Sequence, residues 1–387
     1  MLRYSKQTIN NKDISEVVKV LKSDFLTQGP KVLNFEKKIT KYVGSKYCVA
    51  VNSASSGLYL ACKALGLSNK DTVWTTPNSF AATANCILNS GYKIDFIDID
   101  NDTWNICLKK LEEKLILSKK KNNLPKAIIV VHLAGLPVDA LKLKYLSEKF
   151  KFKIIEDAAH SIGAKYYKKK VGSCHWSDMC VFSFHPVKII TTAEGGCVTT
   201  NNISYYKKIK LIRNNGITND AKEFKNKKLG PWYYEQQSLG FNFRMNDIQA
   251  SLGLSQLRRI NSFVRKRNDI ANIYKKAFIN LPLKIQKVET KYLSTYHLFI
   301  ISLNLEYKNK YLSFFNYMRK NKIFVNLHYM PIHLHPYYKK LGFKKNDFPN
   351  AELYSSLALS IPIYPDLTHR EIIRVIKIIK NFFKKKK

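Results

Sequence analysis

Ile154-Ile155-Glu156-Asp157-Ala158-Ala159-His160 is an apolar strand that runs straight into two acids and a histidine. Outward from it, between about residues 47 and 200, short apolar runs alternate with amphipathic segments. That alternation predicts strand and helix units building a mostly parallel sheet covered on both faces, an α/β architecture. Strands are expected at Tyr47 to Val51, Thr72 to Thr75, Ile94 to Asp98, Ala127 to Val131, Lys153 to Ile155, Met179 to Phe184 and Cys197 to Thr200. Helical patterns lie between them at Gly57 to Leu65, Ala81 to Asn89, Leu108 to Leu117 and Ala140 to Phe150.

The flanks are read the same way. Helices from Asp13 to Lys22 and from Val32 to Val43 precede the sheet, joined by a turn-rich connector at Leu26 to Pro30. Helices from Ser204 to Arg213 and from Asn246 to Ile260 follow it, separated by a polar stretch, Ile217 to Leu239, with no clear period. A long helix from Phe263 to Phe278 then leads to strands at His297 to Leu303 and Phe324 to Tyr329, and helices at Tyr311 to Asn321 and Glu352 to Ser360. The last helix, Arg370 to Phe383, ends in the run Lys384 to Lys387, expected to be a solvated helix end. The expected division is residues 1–262, an N-terminal arm with a large α/β domain, and residues 263–387, a smaller α+β domain.

The 387 residues are 45% hydrophobic and 24% charged, so disorder, collagen-like repeats and a coiled coil are excluded. Lys plus Arg number 66 against 28 Asp plus Glu, a formal charge of +38. The lysines are spread along the whole chain, which argues against a dedicated nucleic-acid or membrane surface, because charge alone supplies attraction without a site. Seven cysteines with no C-x-x-C pair suggest neither a disulfide framework nor a zinc ribbon. No apolar signal core or spanning segment is seen, so the expected location is cytoplasmic.

In open α/β sheets ligands lie beyond the carboxyl ends of the strands, which directs attention to four loops. Asn52-Ser53-Ala54-Ser55-Ser56-Gly57 joins a strand to a helix and reads either as a phosphate cradle of backbone N–H groups and hydroxyls or as an ordinary capped helix start. Thr76-Pro77-Asn78-Ser79-Phe80 delivers an aromatic ring to the same edge, as a platform for a planar heterocycle or as core. Asp157 at its strand end suits a pyridine-type nitrogen and His160 a phenolic oxygen; a strand-end salt bridge is the other reading. Finally, Val181-Phe182-Ser183-Phe184-His185-Pro186-Val187-Lys188 leads an apolar strand to a lysine, and Gly195-Gly196 opens the next strand. An amine held in such an interior turn loses its proton readily and becomes a nucleophile for carbonyl carbon. Cradle, platform, acid and lysine, in that order, match the requirements of pyridoxal 5′-phosphate.

These stretches resemble the DegT family of sugar aminotransferases, and the likeness extends from Leu26-Thr27-Gln28-Gly29 to Leu359-Ser360-Ile361-Pro362. The resemblance implies an aspartate aminotransferase-like, type I pyridoxal-phosphate fold, with Lys188 as the lysine that holds the cofactor. It makes Asp157 the partner of the ring nitrogen, His160 the contact to the ring hydroxyl and Phe80 the stacking aromatic, with Ser55, Ser56 and Ser183 as phosphate ligands. The segment Gly240-Phe241-Asn242-Phe243-Arg244-Met245-Asn246-Asp247 is similar to the stretch that reaches a neighbouring subunit's phosphate, implying a homodimer with Asn242 acting in trans. Read without the resemblance, it is a turn capping the next helix. Arg244 is a candidate for gripping a donor carboxylate. Family members that dehydrate sugars carry His in place of the lysine, so Lys188 implies amino transfer.

The runs Val181 to Gly196 and Asn326 to Tyr338 look most like the branch serving pseudaminic acid synthesis. That branch implies transfer from L-glutamate to C4 of a UDP-linked 4-keto-6-deoxy-N-acetylhexosamine, giving the L-altro product. His328 and Tyr329 are expected to line the substrate; a metal set of His328, His333 and His335 is disfavoured for want of accompanying ligands. The competing functions are an aminotransferase for another nucleotide-linked 4-keto or 3-keto sugar, a regulator that binds the cofactor without turnover, and a basic polyanion-binding protein.

Overall fold

A computed structural model describes residues 1–226 and 229–384 of the chain. Seven strands form the main sheet: β1 (Tyr47–Val51), β2 (Thr72–Thr75), β3 (Lys93–Phe96), β4 (Ala127–Val131), β5 (Lys153–Asp157), β6 (Met179–Ser183) and β7 (Gly196–Thr200). Their spatial order is β1-β7-β6-β5-β4-β2-β3. Neighbours from β3 through β6 pair in parallel, while β7 runs antiparallel to both β6 and β1. This is the mostly parallel α/β sheet that the alternating pattern predicts, and it is consistent with the type I pyridoxal-phosphate transferase fold that the resemblance implies.

The strands are apolar nearly throughout because helices cover both faces. Alternation assigns their side chains to opposite cores: Val49, Ile155, Met179 and Val181 pack on one face with the helices Ala54–Ala64 and Ile203–Arg213. Cys48, Cys180 and Phe182 pack on the other with Phe35, Ile39 and the start of the helix Ile260–Phe278. That helix serves two cores. Ile260, Phe263 and Val264 belong to the main sheet's core, whereas Ile270, Ala271, Tyr274 and Phe278 pack with residues of the C-terminal segment.

The C-terminal segment carries a second antiparallel sheet of β8 (Leu283–Ile285), β9 (Phe299–Leu303) and β10 (Ala358–Ile361), in the order β8-β9-β10. Two expectations are corrected here. The helix expected from Glu352 to Ser360 is the helix Pro349–Ser355 followed by β10. The run Leu357 to Ile361 is apolar enough to satisfy either period, and antiparallel pairing with β9 decides for strand. The segment expected as a strand from Phe324 to Tyr329 forms no ladder and makes a single bridge, Asn326 to Ser360, just after the bridge Leu2 to Ile323. The expected loop from Ile217 to Leu239 contains a short hairpin, Ile217–Thr218 with Glu235–Gln236. Of the lysine run expected after the last helix, Lys385 to Lys387 lie outside the described residues.

The helix Asp247–Leu257 is capped by Asn246, whose side chain accepts from the Gln249 N–H in a full capping box, while Asn242 and Arg244 ahead of it make isolated bridges to Asn214 and Val51. Among the described residues no helix is long and apolar enough to cross a membrane. Six of the seven cysteines are buried, and all are free.

Candidate active site

The carboxyl ends of β1, β4, β5 and β6 open on one cavity of about 570 Å³, lined among others by Ser53, Ser55, Phe80, Asp157, His160, Ser183 and Lys188. Its size suits a cofactor or small ligand.

β1 enters the cavity through the turn Asn52-Ser53 and the helix Ala54–Ala64. Ser53 caps that helix, its hydroxyl accepting from the Ser56 N–H at 3.1 Å, so the helix N-terminus faces the cavity between Ser53 and Ser55. Backbone N–H groups and the helix dipole make this a place for an anion. Two glycines allow the approach: a Cβ on Gly57 would lie 2.9 Å from Val181, and one on Gly196 would lie 2.7 Å from the Ala54 nitrogen. Ser56 is turned inward, its hydroxyl donating to Asn52 Oδ1 at 2.7 Å and paired with Ser53 Oγ at 2.9 Å. It lines an adjoining groove and not the main cavity.

The two adjacent acids at the end of β5 diverge because successive side chains of a strand face opposite ways. Glu156 bonds the His132 Nε2 at 3.1 Å, and His132 Nδ1 accepts from the Val138 N–H, so this acid is committed to the fold. Asp157 faces the cavity and is buried. Burial raises its carboxyl above the usual range, against hydrogen bonds from Thr83 Oγ1 to Oδ2 at 2.6 Å and from the Ala159 N–H to Oδ1 at 3.2 Å.

His160 is buried, and burial holds its ring well below the usual pKa and therefore neutral. The Ala134 N–H donates to Nδ1 at 3.2 Å, so the single ring proton is on Nε2, which lies 3.2 Å from the Tyr329 hydroxyl. His160 thus offers a donor, not a charge, to the cavity. Phe80 lines the same cavity with 60% of its surface exposed. A core phenylalanine would not be so exposed, and the platform reading gains by that.

Lys188 lies in the turn after β6, where its N–H donates to the His185 carbonyl and Ser5 of the N-terminal arm bonds the Val187 carbonyl. It keeps some exposed surface toward the cavity but is otherwise surrounded by protein. Desolvation pulls its amine down to about 8, opposed by the Asp157 charge.

The C-terminal segment closes the far wall with His297, Asn326, Leu327, His328 and Tyr329. His328 Nδ1 bonds Ser360 Oγ at 2.8 Å, and burial lowers its ring pKa to about 3. Tyr329 is raised above the usual phenol range by burial. His333 pairs with Glu352 at 3.0 Å and His335 is exposed, so the three histidines do not converge.

Within one chain, two further expected residues, besides Ser56, lie outside the cavity. Asn242 is exposed, on the segment that bridges to Asn214, and its neighbours Phe241 and Phe243 line the groove beside Ser56 and Phe80. Arg244 lines a separate cavity of about 510 Å³ and donates to Asn214 Oδ1 at 2.7 Å. Sequence reasoning missed Tyr4, Thr83 and His297. Thr83 alone had a signal, a hydroxyl in the first turn of the expected helix Ala81 to Asn89, four residues after Ser79 in the loop that precedes it.

An amine of lowered pKa facing a carboxylate, with a neutral imidazole N–H donor and an anion cradle around the same space, is arranged for a ring with a basic nitrogen, a hydroxyl and a phosphate. The donor set therefore fits pyridoxal 5′-phosphate, and the class is an imine-forming transferase. Comparison with known proteins agrees: the chain belongs to the DegT/DnrJ/EryC1/StrS aminotransferase family, whose model matches residues 7–380. A Campylobacter jejuni relative called UDP-4-amino-4,6-dideoxy-N-acetyl-beta-L-altrosamine transaminase is 39% identical over 372 residues, covering 96% of this chain and 94% of the relative. Among solved structures, Helicobacter pylori PseC, an aminotransferase involved in the biosynthesis of pseudoaminic acid, superposes with a TM-score of 0.91 at 32% identity, covering 99% of both chains. The pyridoxal-phosphate form of the sugar aminotransferase Spr1654 from Streptococcus pneumoniae gives a TM-score of 0.89 at 28% identity, covering 98% of both chains. The chain is a sugar aminotransferase of this family, and its cofactor is pyridoxal 5′-phosphate.

Proposed function

We propose that this protein transfers the amino group of L-glutamate to C4 of a UDP-linked 4-keto-6-deoxy-N-acetylhexosamine, forming the 4-amino L-altro sugar of pseudaminic acid synthesis in the cytoplasm. The observation that carries the reading is Lys188, an amine held near pKa 8 in the same cavity as Asp157 and His160. The substrate is supported by the 39% identity to the Campylobacter jejuni transaminase.

When bound, pyridoxal 5′-phosphate supplies an electrophilic carbon and an electron sink. Asp157 holds a proton on the ring nitrogen, and His160 Nε2 donates to the ring hydroxyl. Phe80 covers one face and keeps water from it. Ser53 to Ser55 and Ser183 receive the phosphate. Lys188 would hold the cofactor, and its Nζ would move a proton from the donor's α-carbon in one half of the transfer and to C4 of the sugar in the other, serving as base and then as acid within each half. Residues 1–262 carry the cofactor in this reading, and the chain from residue 263 supplies His328 and Tyr329 to the sugar. In this reading exposed Asn242 acts across a homodimer, reaching the phosphate held by the partner, and Arg244 would grip the donor carboxylate in that shared site.

The test is to offer UDP- and dTDP-linked 4-keto sugars with L-glutamate and identify the products by mass and NMR. Preferred conversion of the UDP-linked 4-keto-6-deoxy-N-acetyl sugar to the L-altro amine is expected. Conversion of another keto sugar alone would move the protein to a different branch, and none with any sugar would favour a regulator.

A further inference from the structure

Thr83 is fully buried in the first turn of the helix Ala81–Asn89. Its hydroxyl lies 2.6 Å from Asp157 Oδ2 and 2.7 Å from Ser79 Oγ. An ionised carboxylate only accepts, so the Thr83 proton goes to Asp157 and the Thr83 oxygen accepts from Ser79. The direction of the chain is therefore fixed: Ser79 to Thr83 to Asp157. Ser79 is also buried and precedes Phe80, so the loop that presents the aromatic ring is tied to the acid through two hydroxyls. With the Ala159 N–H on Oδ1, each carboxylate oxygen has one fixed donor.

We propose that Thr83 is a positioning residue for the amino-transfer chemistry, its hydrogen bond keeping Asp157 ionised so that the shared proton rests on the cofactor's ring nitrogen. The inference rests on the reading of the cavity as a pyridoxal-phosphate site. A carboxylate and a pyridine nitrogen that share one proton exist as an ion pair or as a neutral pair. Donors to the carboxylate stabilise only its charged form and favour the ion pair. In this buried setting the desolvation of Asp157 works the other way, and the Thr83 hydroxyl is the side-chain donor that opposes it. Loss of that donor moves the proton toward the carboxylate. The ring then withdraws electrons less strongly, and the cofactor is held by a weaker contact.

The test uses the full-length protein with pyridoxal 5′-phosphate, comparing wild type with Thr83→Val, Thr83→Ser and Ser79→Ala. Two quantities are read: the cofactor Kd, and the pH midpoint of the visible absorption of the bound cofactor, which a purely structural role of Thr83 would not move. Thr83→Val is expected to raise Kd about tenfold, the scale of one hydrogen bond to a charged group, and to move the midpoint upward. Thr83→Ser, which keeps the hydroxyl, should restore most of both. Ser79→Ala should move them a smaller distance in the same direction and carries the test if Thr83→Val does not fold. A wild-type visible band with an unchanged midpoint and Kd in Thr83→Val, or in Ser79→Ala where that variant carries the test, overturns this proposal alone. Absence of any band from the wild type overturns the cofactor reading and this proposal together.

Discussion

In the cofactor-free protein, Lys188 should react with aldehydes as a base of pKa about 8 and not as an ordinary lysine near 10.5. At pH 7 a group of pKa 8 is neutral in roughly one molecule in eleven, against roughly one in three thousand at 10.5, an advantage of about 300-fold in reactive amine. The assay is stopped-flow mixing of cofactor-free protein with pyridoxal 5′-phosphate from pH 6 to 10.5, with each rate divided by that of a lysine in an unfolded peptide. The division cancels ionisations of the aldehyde itself. The ratio should be on the order of 300 below pH 8 and fall as pH rises toward 10.5, because only then does the peptide amine also lose its proton. Asp157→Asn should lower the midpoint, since the Asp157 charge is what raises the amine against desolvation. A ratio that is flat across the whole range, or a midpoint that rises in Asp157→Asn, would refute the reasoning.

The same depressed pKa makes Lys188 a cost to the cofactor-free fold. Between pH 8 and 10.5 the unfolded chain binds the extra proton, so stability rises with pH there and the full penalty is present below pH 8. Lys188→Met should therefore abolish amino transfer yet stabilise the cofactor-free protein at pH 7, by up to about 3 kcal/mol in urea unfolding. Unchanged or lower stability would speak against a desolvated amine. Glu36 accepts from both the Arg213 guanidinium and the Ala50 N–H at 2.8 Å, so Glu36→Ala should cost about 2 kcal/mol by leaving a half-buried cation without its carboxylate and the Ala50 N–H without its acceptor, read by the same method. Gly57→Ala pushes a Cβ to 2.9 Å from Val181 and should cost about 1–3 kcal/mol and weaken cofactor binding, because the helix that carries the anion cradle must back away from the sheet.

Much of this was legible in the sequence because the physics of the site is local. Strand apolarity, the acids at the end of β5 and the lysine after β6 lie within short segments, and β1, β2 and β4 begin and end where the alternation places them. Where local patterns were ambiguous, tertiary pairing decided: Leu357 to Ile361 satisfies both periods and became strand only because β9 lies beside it. Side-chain direction was similarly hidden. Nothing in the run Ser53 to Ser56 says that Ser56 turns inward to Asn52 while Ser55 faces the cavity, since that follows from the cap geometry. The contributions of Tyr4 and His297 arise from contacts between segments far apart in the chain, which no window of sequence contains.

The most direct measurement is borohydride reduction of the protein loaded with pyridoxal 5′-phosphate, followed by proteolysis and mass analysis of the peptides. A single stable adduct on Lys188, absent from Lys188→Ala, is the expected result. Reduction that leaves Lys188 unmodified, or that marks the chain's many other lysines with no preference for it, would contradict the account.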